Sequence, residues 1–301
     1  MMKKLKSIWS RVRINSKTIL CLSGQWVVYV YTIVGFLAFW VSFCDVLPTC
    51  WEFWKRLCFS VGVLLFLFIL CFIVATIVTL SKKRILVVES PSRHKVYVEY
   101  GDVFSADVIE KGYARRRNVV VSVNRCFDTI VDDNLVSSRS LHGRCMNDLY
   151  ANDNYSTESL NEAIQSSLNT QNAYGFELNA NDKPRGNRLR YSVGTVAEVL
   201  GRDNVMFFFL GLTKFDSRFQ ASTTKDEYFV AIQKLIEYCN ARAQGYPVVM
   251  PLIGSDLART GMSHAVILEY LLLVFKINRD IISCDFHIVI WNGNKSEIAL
   301  K

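Results

Sequence analysis

Two long runs without a charged residue constrain this chain more than any other feature. The first extends from Thr18 to Cys44, with Trp26–Cys44 as its strongly apolar part. The second, Leu57 to Leu80, is mostly Leu, Phe, Val and Ile. A helix crosses a bilayer core with about 20 apolar residues, so segments at about 26–44 and 57–80 can both span. A soluble surface helix of that length would show a polar face, and neither run has one. The stretch between them, Asp45 to Arg56, is short enough to make the pair a hairpin, and Tyr29, Trp51 and Trp54 fall where interfacial aromatic anchors belong.

Charge sets the expected orientation. The chain has 35 Lys and Arg against 27 Asp and Glu, a formal net charge of +8. Six of those charges are Lys3, Lys4, Lys6, Arg11, Arg13 and Lys17, in a segment (1–17) that holds no acid. The remainder is close to neutral, so it lacks the basic face that nucleic-acid binding needs, and nucleic acid is not an expected partner. Lys82, Lys83 and Arg84 follow the second run. The positive-inside rule then puts both termini in the cytoplasm and the hairpin loop outside. A signal peptide fits poorly, because the first run is long and lacks an A-x-A-like site. The region 84–301 is expected to be one cytosolic, reduced domain.

Several functions are disfavoured. Neither span carries an ionisable residue of the kind that lines ion or proton pathways. No GxxxG pairs the helices, so the hairpin reads as an anchor or assembly element. The nine cysteines form no CxxC, and His142-x-x-Cys145 stands alone, so no metal site is expected.

From Arg84 onward the pattern alternates between strands and helices. Strands are predicted at Ile85–Glu89, Lys95–Tyr100, Asn118–Val123, Tyr191–Val199, Asn204–Leu212, Val248–Ile253 and Phe286–Trp291. Helices are predicted at Ser159–Leu168, with Ser159 and Glu162 at capping-box spacing, after Thr224-x-x-Glu227, and at Met262–Phe275. Tyr174–Arg190, rich in Asn and Gly, reads as a loop. The expected architecture is a mixed-sheet α/β/α three-layer domain with binding loops at strand C-terminal ends.

Three loops stand out. Gly101-Asp102-Val103 ends one strand. Asn124 ends the buried NVVVSV strand and opens a loop running to Ser140-Leu141-His142-Gly143. The segment PVVMPLIGSDLARTGMS, Pro247 to Ser263, is a strand, a Gly-containing loop and the start of a helix. That last geometry aims backbone N–H groups at one spot and suits a phosphate. Each loop also has an ordinary explanation: Asp102 capping a turn, Asn124 satisfying a strand end, His142 on a surface loop, and the third segment a plain β-to-α turn.

These residues resemble a macro domain, the ADP-ribose-binding α/β fold. VNRCFDTIVDDNLVSSRSLHG together with PLIGSDLARTGMS is similar to the macro domain of Thoeris anti-phage effectors, in the architecture where two transmembrane helices come first. The resemblance implies that Asp102, in the Gly-Asp-Val103 motif, accepts from an adenine amino group, and that Asn124 contacts the distal ribose. It implies that Ser140, Leu141, His142 and Gly143 form one phosphate loop. Gly254, Ser255 and Leu257 form the other, with Arg259 and Thr260 leading into the helix. Phe215 and Asp216 would sit beside the adenosine. The chain departs from the usual pattern in having a single Gly143 where relatives carry a run of glycines, and Asp256 beside Ser255.

The implied function is sensing in the bacterial inner membrane. A partner TIR-domain enzyme makes an ADP-ribose derivative, such as a histidine adduct, and the macro domain captures it. Homo-oligomerisation and disruption of the lipid bilayer then end in abortive infection. The residues form no nucleophile–base–orienter set, so no catalytic residue and no cofactor are expected. Asp128 and Asp132–Asp133 are acids in a loop, where solvation is the ordinary state. The alternatives are a membrane-anchored ADP-ribosyl hydrolase and a passive ADP-ribose receptor.

Overall fold

The computed structural model describes residues 9, 12–13, 15–37, 52–81, 84–105, 116–151, 154–215, 220–254, 260–296 and 298. It divides into two units, Met1–Lys83 with Lys295–Lys301, and Arg84–Asn294.

In the first unit, α1 (Ser16–Leu37) and α2 (Phe53–Ser81) pack against each other. Both are long and apolar enough to cross a membrane, with mean hydropathy 1.6 and 3.2. Helix α1 begins ahead of the strongly apolar part of its run. The expected end of that span at Cys44, Trp51, and Lys82–Lys83 lie outside the described residues. Hydroxyls in both helices donate to the carbonyl four residues back: Ser23 to Ile19 at 2.6 Å, Thr32 to Val28 at 2.9 Å and Thr76 to Phe72 at 2.7 Å. Such bonds satisfy polar groups within the segment, as an apolar surrounding requires. The buried positions of α2 are Cys71, Ala75 and Thr79, a stripe of small residues one turn apart. Small side chains let helices approach closely, here without a GxxxG.

In the second unit the main sheet runs β1 (Arg84–Glu89), β2 (Lys95–Gly101), β10 (Phe286–Trp291), β9 (Val248–Pro251), β3 (Arg117–Asn124), β7 (Val205–Phe215) and β6 (Val196–Leu200), with β8 (Ala221–Ser222) on the end of β7. Strands β2, β10, β9, β3 and β7 are parallel, and β1 and β6 are antiparallel edges. The predicted strand at Tyr191–Val199 is two pieces. Its start belongs to β5 (Leu189–Tyr191), which pairs with β4 (Gly175–Glu177) inside the predicted loop, and Gly194 at φ +82° breaks the run before β6.

Two helix layers cover the sheet. Helices α3 (Leu141–Tyr150) and α4 (Thr157–Thr170) bury Met146, Leu149, Leu160 and Ile164 against alternate residues Val119, Val121, Phe207 and Phe209. The period of two along each strand sends the intervening residues to the other face. There α5 (Lys225–Arg242) sets Tyr238 edge-on to Phe208, and α6 (His264–Ile277) sets Phe275 against Phe286. Phe208, Phe275 and Phe286 are fully buried, and each contributes on the order of 1.5–3 kcal/mol. Helix α5 carries the predicted capping box, Thr224 with Glu227. The α4 box differs from the prediction. Its N-cap is Ser156, and Ser159 is the N3 partner, because the extended Ser156 backbone places its hydroxyl on the Ser159 N–H at 3.1 Å.

The site is positioned by a gap. Strands β3 and β9 are in register only at Asn118–Val248 and Val119–Val249. Beyond that Pro251 offers no N–H to a ladder, and the C-terminal half of β3 parts from β9. After β3 the chain turns toward β7, and after β9 it turns toward β10. The gap is therefore a topological switch point, where open α/β sheets leave a crevice outside the strand ends.

Candidate functional site

A cavity of about 540 Å³ occupies this gap. Its walls come from the end of β3 (Ser122, Asn124), the start of α3 (Ser140, His142), the end of β7 (Thr213, Phe215) and the turn after β9 (Leu252, Gly254). Small-molecule sites fall at about 300–1,000 Å³, so a nucleotide-sized ligand fits.

Asn124 is the centre of the construction. Its side-chain oxygen accepts from the N–H of Cys126 at 3.0 Å and of Asp128 at 3.4 Å. That fixes the amide orientation and leaves Nδ2, buried, without an acceptor. The turn that allows this puts Phe127 at φ 53°, where a non-Gly residue costs about 1–3 kcal/mol. The ring of Phe127 is buried edge-on to Tyr191 at 5.5 Å, and that packing holds the turn.

His142 faces the same cavity. It is buried, not on the surface, because the predicted Ser140–Gly143 loop is the first turn of α3. Ser140 is the N-cap, accepting from the Gly143 N–H at 2.9 Å and donating to the Ser137 carbonyl at 2.6 Å. Gly143 is required because a Cβ there would overlap the Ser137 carbonyl oxygen. Burial pushes the His142 imidazole down to about 3, against a hydrogen bond to the Asp128 carbonyl that favours the charged form. The ring is therefore neutral, and its buried Nε2 has no partner. With the other nitrogen donating to Asp128, Nε2 is an acceptor. Two residues of the cavity wall thus each bring a buried polar atom without a hydrogen bond, a donor on Asn124 and an acceptor on His142, and both side chains are tied to the backbone of Asp128. Unpaired buried polar atoms cost about 1–3 kcal/mol each, which a ligand's complementary group would recover.

Asp128 itself is buried, not solvated. It pairs with Lys183, whose ammonium also donates to the Asn187 carbonyl, and it accepts from the Asn187 N–H at 2.7 Å. Burial pushes its carboxyl above the usual range, and Lys183 pulls it back down. Asp132 and Asp133 are spent on turns: Asp132 accepts from the N–H groups of Asn134 and Leu135, and Asp133 from the Ser138 N–H at 2.8 Å.

The remaining predicted residues separate into four groups. Leu141 and Gly254 line the cavity. Gly254 has φ +90°, and a Cβ there would stand 2.7 Å from the Tyr228 ring. Thr260 lies behind the wall, its buried hydroxyl donating to the Gly254 carbonyl at 3.0 Å and accepting from the Met262 N–H at 3.3 Å. Asp102, Val103 and Gly143 are not on the cavity wall. Val103 is core, and the half-exposed Asp102 accepts from the Phe104 N–H at 3.2 Å and pairs with Arg144 at 2.8 Å. Ser255, Leu257 and Arg259, with Asp216 and Asp256, lie outside the described residues. Sequence reasoning missed Arg139, Asn134 and Gln220 on the wall. Arg139 had one signal, a basic residue directly before the Ser140 N-cap.

The chain is similar to Thoeris protein ThsA of Bacillus amyloliquefaciens (strain Y2), 25% identical over 207 residues. The match covers 69% of this chain and 59% of the relative's length. A family model described as Thoeris protein ThsA, Macro domain, matches residues 96–291, which takes in β2 through β10 and every wall of the cavity. The chain belongs to the ThsA macro-domain family.

Proposed function

We propose that this chain is a membrane-anchored anti-phage defence effector whose macro domain binds an ADP-ribose-derived signal made by a TIR-domain enzyme. The observation that carries this reading is the pair of buried, unpartnered groups, Asn124 Nδ2 and His142 Nε2, in the cavity at the β3–β9 gap. A ribose hydroxyl both donates and accepts, and so answers both. The N-terminus of α3 and Arg139 supply positive potential for a pyrophosphate. Asp102, off the cavity wall and paired with Arg144, would meet the amino group of an adenine that extends past that wall.

Sensing is favoured over hydrolysis by the state of the acids. Asp133 is the carboxylate among the described lining residues, and the Ser138 N–H and hydroxyl hold it below the usual range. A base weakened in this way is poorly matched to activating water. In this reading α1 and α2 form a hairpin in the inner membrane with both termini cytoplasmic, and ligand favours an oligomeric state that disrupts the bilayer. Ligand can do so only through different affinity for the two states.

The test is calorimetric titration of the full chain in detergent with ADP-ribose, NAD and histidine-linked ADP-ribose, with light scattering on the same samples. The adduct should bind best and raise the particle mass. Asn124→Ala should weaken it at least tenfold, and Asp102→Ala should weaken it as well. Absence of binding by all three compounds overturns the reading, and release of free ADP-ribose from the adduct with turnover replaces it by the hydrolase.

A further inference from the structure

The loop that joins Asn124 to α3, and with it one wall of the cavity, is backed by a segment that does not reach the cavity. Residues 183–187, Lys-Pro-Arg-Gly-Asn of the Asn- and Gly-rich excursion, are absent from the cavity wall. They are fixed to the back of that loop at successive points. Lys183 pairs with Asp128 and also donates to the Asn187 carbonyl, which closes the segment on itself. Arg185 pairs with Asp132 at 2.8 Å. Gly186, at φ +76°, passes so close that a Cβ would overlap the Asp128 carboxylate and press on Leu135, a residue of the cavity wall. Asn187 donates its N–H to Asp128 at 2.7 Å. Its side-chain amide donates to the Phe127 carbonyl at 3.1 Å and to Asn161 of α4 at 2.8 Å.

Asp128 is held from one side and holds on the other. Its carboxylate meets the segment 183–187, while its backbone meets the site. The N–H donates to Asn124 Oδ1 at 3.4 Å, and the carbonyl accepts from the His142 ring. The preceding residue, Phe127, stands at φ 53°, a conformation that persists only where the surroundings over-determine it. The ammonium of Lys183 helps to do so, since charge-assisted hydrogen bonds are roughly twice as strong as neutral ones. A buried ion pair is otherwise a poor source of net stability, because apolar side chains of the same volume often serve as well. The use of this pair lies in where it sits, on the one residue whose backbone ties down both Asn124 and His142.

We propose that Lys183 is a positioning residue for the ligand site. Through the Asp128 carboxylate it fixes the Asp128 backbone, and so the directions of the two unpaired atoms, Asn124 Nδ2 and His142 Nε2. The proposal rests on the cavity reading above and deepens it. Ligand affinity is set in part by a residue 55 positions from Asp128 that meets no ligand. Groups that grip a ligand must be held to within about 0.5 Å by packing and hydrogen bonds behind them. The excursion thereby has a purpose, as the strap behind the site.

The experiment compares the full chain in detergent with two variants, Lys183→Met/Asp128→Asn and Arg185→Gln. The double change removes both buried charges together, so that neither is left unpaired. Affinity for ADP-ribose is read by calorimetric titration, and the His142 tautomer by the nitrogen shifts of labelled histidine, assigned with His142→Gln. The double variant should bind about tenfold more weakly, the scale of one well-placed hydrogen bond. Its His142 ring should mix two tautomers, where the wild type keeps its proton on Nδ1. Arg185→Gln, which breaks an exposed pair, should stay within about twofold of the wild type. Unchanged affinity in the double variant overturns the proposal, as does weaker binding with an unchanged His142 ring or an equal loss in Arg185→Gln. One measurement needs no variant. Coupling between sites is reciprocal, so ADP-ribose should slow hydrogen exchange at the Asn187 amide, and an unchanged rate overturns the proposal. Absence of ADP-ribose binding by the wild type overturns the cavity reading, and the tautomer comparison still decides the part given to Lys183.

Discussion

Lys183 reaches back along the chain to Asp128, and both side chains are buried, 2% and 1% exposed. The segment that delivers the lysine wraps the carboxylate completely. Asn187 donates its N–H to the other oxygen, and Gly186 passes so close that a Cβ would overlap it. Lys183→Met leaves an unpaired buried carboxylate and should cost about 3–5 kcal/mol in urea unfolding. Without the lysine, burial acts on Asp128 against hydrogen bonds from Asn187 and Asn124 only, and its folded pKa is already raised. A raised carboxyl stabilises below its unfolded pKa and loses that stability as pH rises, so the defect should be larger at pH 8 than at pH 5. Adding Asp128→Asn should recover much of the loss. An equal defect at both pH values would contradict a charge origin.

His142 gives stability an opposite pH dependence. Its folded pKa is about 3 against 6.5 unfolded, so its contribution is complete above about 6.5 and is lost as pH falls toward 3. The slope is up to about 1.4 kcal/mol per pH unit. His142→Gln should flatten the decline of Tm between pH 6.5 and 4 relative to wild type. Parallel profiles for the two proteins would show that His142 is protonated in the fold.

Gly254 and Gly245 separate two costs of adding a Cβ. Both have positive φ, +90° and +76°, but Gly245 opens on space whereas Gly254 faces the Tyr228 ring. Gly245→Ala should cost about 1–2 kcal/mol of backbone strain alone. Gly254→Ala should cost more and should also weaken ligand binding, because the turn forms a cavity wall. Thermal melts and titration of the two variants decide this, and equal melts would remove the steric role given to Tyr228.

Thr260 ties its loop shut through two hydrogen bonds on one hydroxyl. Thr260→Val removes both in a buried place and should cost about 1–3 kcal/mol. Thr260→Ser should keep most of the stability. Hydrogen exchange at the Met262 amide is the sharper check, rising in Thr260→Val and little changed in Thr260→Ser.

Much of the sheet was legible in the sequence because its strands are short apolar runs between turn residues. NVVVSV and NVMFFFLGL could hardly be anything but buried strands, and they are the neighbours β3 and β7. Helix α3 was missed because its polar sequence, LHGRCMNDLY, has a glycine in the first turn. That glycine answers a steric demand of Ser137, a contact invisible to local pattern. The same contact made His142 look like a loop residue when it is a buried one. Asn124 was legible because it ends a buried strand. Lys183 was not, since nothing local distinguishes a lysine in the Asn- and Gly-rich excursion from one in solvent.

The sparse pairing of β3 with β9 has a mechanical meaning. Two register pairs join the part of the sheet built on β9, β10 and β2 to the part built on β3, β7 and β6. Little backbone hydrogen bonding opposes a change of angle there, so the sheet has a seam that can act as a hinge. The cavity lies in that seam and touches both halves. A molecule lodged in it would stand as a strut between the two leaves of the domain.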